Sequence, residues 1–402
     1  MSPQNDKSID PPSVLEHDLN KHFPELLTFG STGDLHASSL WKEIRSEAER
    51  VLNAVVGENL SEATGGADCR TVRALAWNIE RGNVYDGIID SLKNHDRLKN
   101  KDLLLLTELD HGMARSGNRF VAQGIARELK LNYAFAPVYI ALQKGSGVES
   151  EVEGENQLSI HGLGMFSRYP MTNVHAVPLP NGKDKMWGKE KRLGSLRALF
   201  ADIDHPAGKF RAVTIHLDAH CSRAHRQMQI KIVLDHLDTL PPLPVIIGGD
   251  WNTTTFNSQS STRAILGYWR RVLMGPKNVA QNHLPNPERY FERNLFTMLE
   301  KRGYDYRSLN EIGAGTLHYH IESIEKNTNL RDWVPEWCFP FIFWAAGRVG
   351  GHVSGRLDWF AGKGIEIAPG AKPQTIGDLV DHNGTPLSDH DAIGLDFQVI
   401  PS

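Results

Sequence analysis

Six clusters of carboxylate, amide and imidazole residues follow or interrupt apolar runs in this 402-residue chain. Asn78 and Glu80 follow VRALA, and Glu108 and Asp110 follow four leucines. His216 and Asp218 lie in VTIHLDAH, and Asp250 and Asn252 close VIIGGDWN. Asp358 sits inside RLDWF, while Ser388, Asp389, His390 and Asp391 precede the last apolar run. Hard carboxylate and amide oxygens are natural ligands for Mg²⁺ or Mn²⁺. Histidines beside them transfer protons near neutral pH. Singly, an Asp or Asn after a strand is a turn former or a helix cap; six such clusters in one chain are not explained that way. Nothing in the chain matches a nucleophile elbow, a P-loop or an HExxH zinc helix.

Residues of this kind need a scaffold that brings strand ends together, and the apolar patterning supplies one. VRALAWN (72–78), LLLLT (103–107), LNYAFAPV (131–138), LGMFS (163–167), SLRALFADI (195–203), KFRAVTIH (209–216), PVIIGG (244–249), RLDWFAG (356–362) and AIGLDFQV (392–399) are expected as strands. LWKEIRSEAERVLNAVV (40–56), SGNRFVAQGIARELK and SRAHRQMQIKIVLDHLDTL are expected as helices. Strands mixed with helices predict an α/β or α+β sheet core with helices outside. In open sheets of this kind, loops leaving strand ends converge on one crevice. No internal repeat interrupts the pattern.

The ordered set resembles the endonuclease/exonuclease/phosphatase superfamily of metal-dependent phosphoesterases, to which deoxyribonuclease I belongs. The residues that carry the resemblance are Asn78, Glu108, His216-Leu217, Gly249-Asp250-Trp251-Asn252, Asp358 and Ser388-Asp389-His390. They span about residues 71–255 and 352–400. The resemblance implies a four-layer sandwich of two packed, mostly antiparallel β-sheets flanked by helices. It implies that Glu108, with Glu80 and Asp389, holds Mg²⁺ or Mn²⁺, and that Asp250 orients or deprotonates the attacking water. Asn78 and Asn252 would hold phosphate oxygens. His390, paired with Asp358, would stabilise charge on the phosphate, and His216 would stand near the leaving oxygen. Abasic-site endonucleases carry Tyr where this chain has His216, and inositol phosphatases carry Cys-Asp-Arg where it has Gly355-Arg356-Leu357-Asp358. The expected activity is therefore phosphodiester hydrolysis, on nucleic acid or a phospholipid head group. A phosphomonoesterase of inositol or sugar phosphates, and a non-catalytic binding protein of the same fold, are the alternatives. A calcineurin-like phosphoesterase would need a Gly-Asn-His motif, which does not occur.

Composition bounds the remainder. There are 44 basic and 48 acidic residues, for a formal charge of −4, and 40% of the chain is hydrophobic, which excludes wholesale disorder. The charge is uneven: residues 1–70 carry 6 basic and 12 acidic residues and read as an acidic, partly helical N-terminal extension. Residues 71–402 read as the catalytic domain, with an insertion at about 255–350. Within it, residues 263–307 carry 9 basic and 4 acidic residues, which favours a nucleic-acid substrate. The aromatic stretch Trp333, Trp337, Phe339, Phe341, Phe343 and Trp344 favours lipid, or packs the insertion onto the core. The basic run at 181–200 offers Arg192 and Arg197 as phosphate contacts, because guanidinium groups grip phosphate oxygens bidentately. HLDAHCSRAH gathers His216, Asp218, His220, Cys221 and His225, but its spacing matches no standard zinc module, and His225 to Gln227 are expected to open the next helix. Three cysteines, no secretory signal and no membrane-length apolar run predict a cytoplasmic protein; no protein partner is implied.

Overall fold

The aliphatic runs become strands, and several extend past the apolar segment into the polar residues that follow. Described in the computed structural model are residues 14–62, 70–188, 190–253, 261–320 and 352–400, with Gly347. In chain order the strands are β1 (Val56–Glu58), β2 (Val72–Arg81), β3 (Leu103–His111), β4 (Asn132–Ala141), β5 (Ile160–Ser167) and β6 (Met171–Pro178). They continue as β7 (Arg192–Gly194), β8 (Arg197–His205), β9 (Gly208–His216), β10 (Val245–Asp250) and β11 (Leu317–His320). The last are β12 (His352–Gly355), β13 (Asp358–Lys363), β14 (Ile365–Ile367), β15 (Gln374–Ile376) and β16 (Ala392–Val399). The longer helices are α1 (Ser39–Asn53), α2 (Tyr85–Asn94), α3 (Val121–Leu129), α4 (Arg223–Thr239), α5 (Ser261–Leu273) and α6 (Arg293–Lys301).

Among the described residues the strands form two large sheets and the small pair β11–β12. The first sheet runs β1-β4-β5-β3-β2-β16-β14, with β7 added on β4 and β15 on β16; the second runs β13-β10-β9-β8-β6. Each sheet is antiparallel except for one parallel pair, β2 with β3 and β9 with β10. Alternation along β2 explains the layering. Ala74 and Ala76 face the second sheet, where Leu199, Phe210, Ile246 and Phe360 meet them. Leu75 and Trp77 face outward onto a helical layer that includes Ile44 of α1, Ile88 of α2 and Ile125 of α3. The four leucines of β3 have an apolar partner on both faces, which is why that strand shows no polar alternation. Ile215, Ile247 and Trp251 on the outer face of the second sheet pack against Val233 of α4 and Phe296 of α6. The result is the four-layer arrangement of helices, sheet, sheet and helices.

The acidic N-terminal segment shares this core. Leu15, Leu19, Leu26 and Leu35 are buried in the same cluster as Trp77 and Leu106. Ser38 caps α1 by accepting from Trp41 N, and β1 closes the edge of the first sheet with Val56 opposite Phe135. In the 261–320 segment, α6 is held to α4 by a fully buried pair, Arg226 Nη2 to Glu292 Oε1 at 2.5 Å. The chain then returns to the sheets, where Asp305 bridges to Gly362 and Leu317 to His390. The aromatic stretch at 333–344 lies outside the described residues.

Candidate active site

Parallel pairing is what assembles the site. It puts the carboxyl ends of β2 and β3 side by side, and those of β9 and β10 likewise. On β10, Asp250 is in register with His216 on one neighbour and with Asp358 on the other. Gly249 makes this approach feasible: it has φ +134°, and a Cβ there would lie 2.0 Å from the Ile215 carbonyl oxygen. In the first sheet, register shifts fall between Asn78 and Arg81 on β2 and between Leu106 and Leu109 on β3. Glu80 (φ 44°), Arg81 (φ 67°) and Glu108 (φ 58°) occupy those irregular stretches in the left-handed region. Such backbone is rare for residues with a side chain and re-aims them out of the strand alternation.

The two sheet ends are joined by side-chain hydrogen bonds. Asn78 Nδ2 donates to Glu108 Oε1 and to Asp250 Oδ2, both at 3.2 Å. Asp250 Oδ1 accepts from Asn252 N at 2.9 Å, and Asn252 Nδ2 donates to the Leu217 carbonyl at 2.9 Å. His216 Nε2 lies 3.4 Å and His390 Nε2 3.8 Å from Asp250 Oδ2. His390 Nδ1 lies 2.8 Å from Asp358 Oδ2 and donates to it. The His390 backbone is fixed by Ser388 Oγ, which accepts from His390 N at 3.0 Å and donates to the Asn78 carbonyl at 2.6 Å. Trp77 Nε1 donates to the His390 carbonyl. Asp358 is held from the 261–320 segment: its backbone N donates to Thr316 Oγ1 at 3.1 Å.

Charges in the site are strongly perturbed. Burial works against a proton on His390, but Asp358 and Asp250 outweigh it and hold the imidazole well above its ordinary range. Burial and the Asp389 carboxylate push Glu80 up to about 7, and burial with Glu108 raises Asp389. Burial would also raise Glu108, yet Arg81, His216 and His161 overrule it and keep the group well below the carboxylate range. Arg81 Nη1 is 3.9 Å from Glu80 and 3.7 Å from Glu108, and its Nε is 3.1 Å from Glu149. Glu149 passes the chain of charge to Arg115, which holds Asp110 at 2.7 Å, and Asp110 meets His161 at 2.8 Å.

Two carboxylate sets compete as a cation site. Asp250, Asp358 and His390 offer ligand atoms within 4.8 Å of one another. His390 spends Nδ1 on Asp358, and the neighbouring carboxylates favour its protonated form, which competes with metal binding at its other nitrogen. Glu80, Glu108 and Asp389 form the second set: burial and the neighbouring carboxylates raise Glu80 and Asp389, and Arg81 is the cation that faces Glu80 and Glu108. Among the described residues these three do not bring ligand atoms within 4.8 Å of one another.

Nine of the eleven residues expected from the sequence come together here: Asn78, Glu80, Glu108, His216, Asp250, Asn252, Asp358, Asp389 and His390. Arg192 and Arg197 do not join them. Arg192 pairs with Glu190, and Arg197 Nη2 donates to Asn53 Oδ1 at 2.6 Å, both beside the N-terminal helices. Arg81 and Thr316 escaped the sequence reading. Arg81 adjoins Glu80 and was legible as a charge at a strand end, whereas no local signal marks Thr316. The expected helix start after Cys221 is observed: Ser222 Oγ accepts from His225 N, and α4 begins at Arg223. Among the described residues, His216 to His225 form no metal-holding group.

This fold and site are those of a phosphoesterase class, and the sequence agrees. The chain belongs to the Endonuclease/Exonuclease/phosphatase family, whose profile matches residues 75–390. A structure of an endonuclease/exonuclease/phosphatase from Beutenbergia cavernae is 17% identical, covering 82% of this chain and 72% of that one at a TM-score of 0.48. The human Nocturnin catalytic domain with bound sulfate is 15% identical over 86% and 97% of the two chains, with a TM-score of 0.42. TDP2 from D. rerio in complex with a single-strand DNA product is 14% identical over 82% and 99%, with a TM-score of 0.41. No curated protein matches the sequence.

Proposed function

We propose that the protein is a divalent-metal-dependent phosphodiesterase that attacks phosphorus with water. The observation that carries this reading is the convergence on Asp250: a buried carboxylate that accepts from Asn78 and Asn252 and is flanked by His216 and by His390, which Asp358 orients. Hydrolysis of a phosphodiester needs a base for water, neutralisation of the phosphoryl oxygens and a stabilised leaving oxygen. Asp250 accepts the water proton. His390 presents Nε2–H to a phosphoryl oxygen, its charge maintained by Asp358 behind it. Asn252 and Asn78 hold Asp250 in place through their amide donors. His216 stands on the other side of Asp250, where it donates to the departing oxygen. Glu80, Glu108 and Asp389 would hold Mg²⁺ or Mn²⁺, which when bound supplies Lewis-acid neutralisation of phosphoryl charge.

A panel of plasmid DNA, RNA, sphingomyelin, inositol phosphates and bis-p-nitrophenyl phosphate, with Mg²⁺ or with EDTA, tests the reading. Hydrolysis of a diester that EDTA abolishes is the expected result; turnover of none of them rejects it. The excess of basic residues in the 263–307 segment favours nucleic acid among the diesters.

A further inference from the structure

The two arginines that stand apart from the reaction centre line a pocket of about 500 Å³ between the N-terminal helices and the 178–197 segment. One wall carries His36, Trp41 and Asn53; the other carries Lys183, Arg192 and Arg197. Arg197 is the unusual member. It is 6% exposed, Asn53 Oδ1 accepts from its Nη2, and its Nε has no hydrogen-bond partner among the described residues. Burial pulls the guanidinium below its usual range with no acid to oppose it. A buried cation without a counter-charge costs stability, so a protein keeps one only where it gains something.

The carboxylates on the lining are already committed. Asp184 accepts from Thr32 N at 2.8 Å and Met186 N at 2.9 Å, as well as from Thr32 Oγ1. Glu49 pairs with Arg45 at 2.7 Å. The pocket is therefore built for an anion from outside. Its position ties it to the reaction centre, because Arg197 opens β8, and Ala198, the next residue, is paired with Ile215, the residue before His216. Lys185, also on the lining, reaches Asp218 at 3.4 Å, two residues beyond His216.

We infer that this pocket is a second anion subsite, which takes a phosphate group of the substrate other than the one hydrolysed. The inference rests on the phosphodiesterase reading and deepens it: the preferred substrate carries at least two phosphates. A guanidinium fork matches phosphate oxygens, and the His36 and Trp41 rings, stacked at 4.4 Å, leave an aromatic wall for the group attached to that phosphate.

The test uses the full chain in EDTA, with pyrophosphate as the probe in thermal unfolding and calorimetry. Pyrophosphate should raise the Tm of the wild type, and Arg197→Met should melt higher without ligand yet bind pyrophosphate at least tenfold more weakly. Equal binding by wild type and variant, or none by the wild type, overturns the inference. Should Arg197→Met fail to fold, Lys183→Ala supplies the same comparison at a part-exposed position. Kinetics then separate a substrate phosphate from a free one. A 5′-phosphorylated dinucleotide should show a KM at least tenfold below that of the unphosphorylated dinucleotide, and Arg197→Met should erase the difference. Pyrophosphate binding with equal KM values would mean that the pocket takes free phosphate, contrary to the inference. Hydrolysis of neither dinucleotide nor any other diester would remove the phosphodiesterase reading and the inference with it, whatever the melting data show.

Discussion

Asn78 Nδ2 donates to Asp250 Oδ2 at 3.2 Å, a single bond that ties the end of one sheet to the end of the other. Asn78 also bonds Glu108, so one amide spans the carboxylate of the cation side and the carboxylate of the base side. Asn78→Ala should leave Asp250 without this donor and loosen its aim. The expected cost is about 1–3 kcal/mol of stability and a fall in kcat, checked by urea denaturation beside steady-state kinetics. A variant with unchanged kcat would show that the amide is only a structural tie.

Asp250→Asn keeps the shape and removes the base. General-base catalysis contributes about 10²–10⁴-fold, so kcat should fall by at least about a hundredfold while the Tm moves little. Wild-type turnover on every substrate cleaved would sink the catalytic assignment. Circular dichroism must show the fold intact for the comparison to count.

The pairing of His390 with Asp358 makes a pH prediction. Asp358 helps to hold His390 well above its ordinary pKa against the pull of burial. If the protonated imidazole is the working form, activity persists on the alkaline side until His390 loses its proton. Asp358→Asn removes the supporting charge, lowers that pKa, and moves the alkaline limb of the pH–rate profile to lower pH. An unmoved limb would detach His390 protonation from turnover.

The strand ends were legible because aliphatic runs broke into carboxylates, amides and histidines in a family order. The bulges were not legible: Glu80, Arg81 and Glu108 adopt left-handed backbone that no glycine announces. The charge of Arg81 was legible beside Glu80, but not the bulge that turns it into the carboxylate cluster. Strands of three residues, such as β1, β7, β14 and β15, are too short for alternation to show. Thr316 acts on Asp358 from 42 residues upstream, and only the tertiary fold brings them together. Arg192 and Arg197 line a pocket beside the N-terminal helices, where Arg192 pairs with Glu190 and Arg197 donates to Asn53, partners that no local pattern announces.

Glu80 links cation binding to pH. A ligand carboxylate must be ionised, and burial with Asp389 pushes Glu80 up to about 7. Apparent Mg²⁺ affinity should therefore rise from pH 6 to pH 8, with about a tenfold change per unit below 7 for one proton released. Calorimetry at the two pH values checks the slope, and Glu80→Gln should flatten it while weakening binding overall. A wild-type affinity independent of pH across this window would exclude Glu80 from the cation site.

Removing one partner of the buried Arg226–Glu292 pair should be far worse than removing both. Arg226→Met leaves the Glu292 carboxylate, whose burial already raises its pKa, without a counter-charge. The expected loss is about 3–5 kcal/mol. Adding Glu292→Leu should restore most of it, because two apolar side chains suit the interface of α4 and α6. Additive losses in the double variant, measured by denaturant unfolding, would show that the pair is not coupled.

His111 supplies an acid-stability prediction. Its ring is stacked on Phe120 at 4.0 Å, and neither nitrogen has a hydrogen-bond partner among the described residues. Burial holds its pKa down at about 4, whereas an unfolded histidine titrates near ~6.5. Below 6.5 the unfolded chain gains a proton that the folded chain refuses, so the contribution is complete above 6.5 and is lost as pH falls toward 4. By pH 5 that loss is about 2 kcal/mol. Glu80, with its raised pKa, works in the opposite direction over much of the same range, since its folded form keeps a proton that the unfolded form sheds. The clean readout is therefore a difference between proteins. His111→Phe should match or exceed the wild type at pH 5 by about 2 kcal/mol more than it does at pH 7, measured by urea unfolding at both values. An offset that stays constant with pH would mean that His111 is protonated in the folded protein or partnered in it.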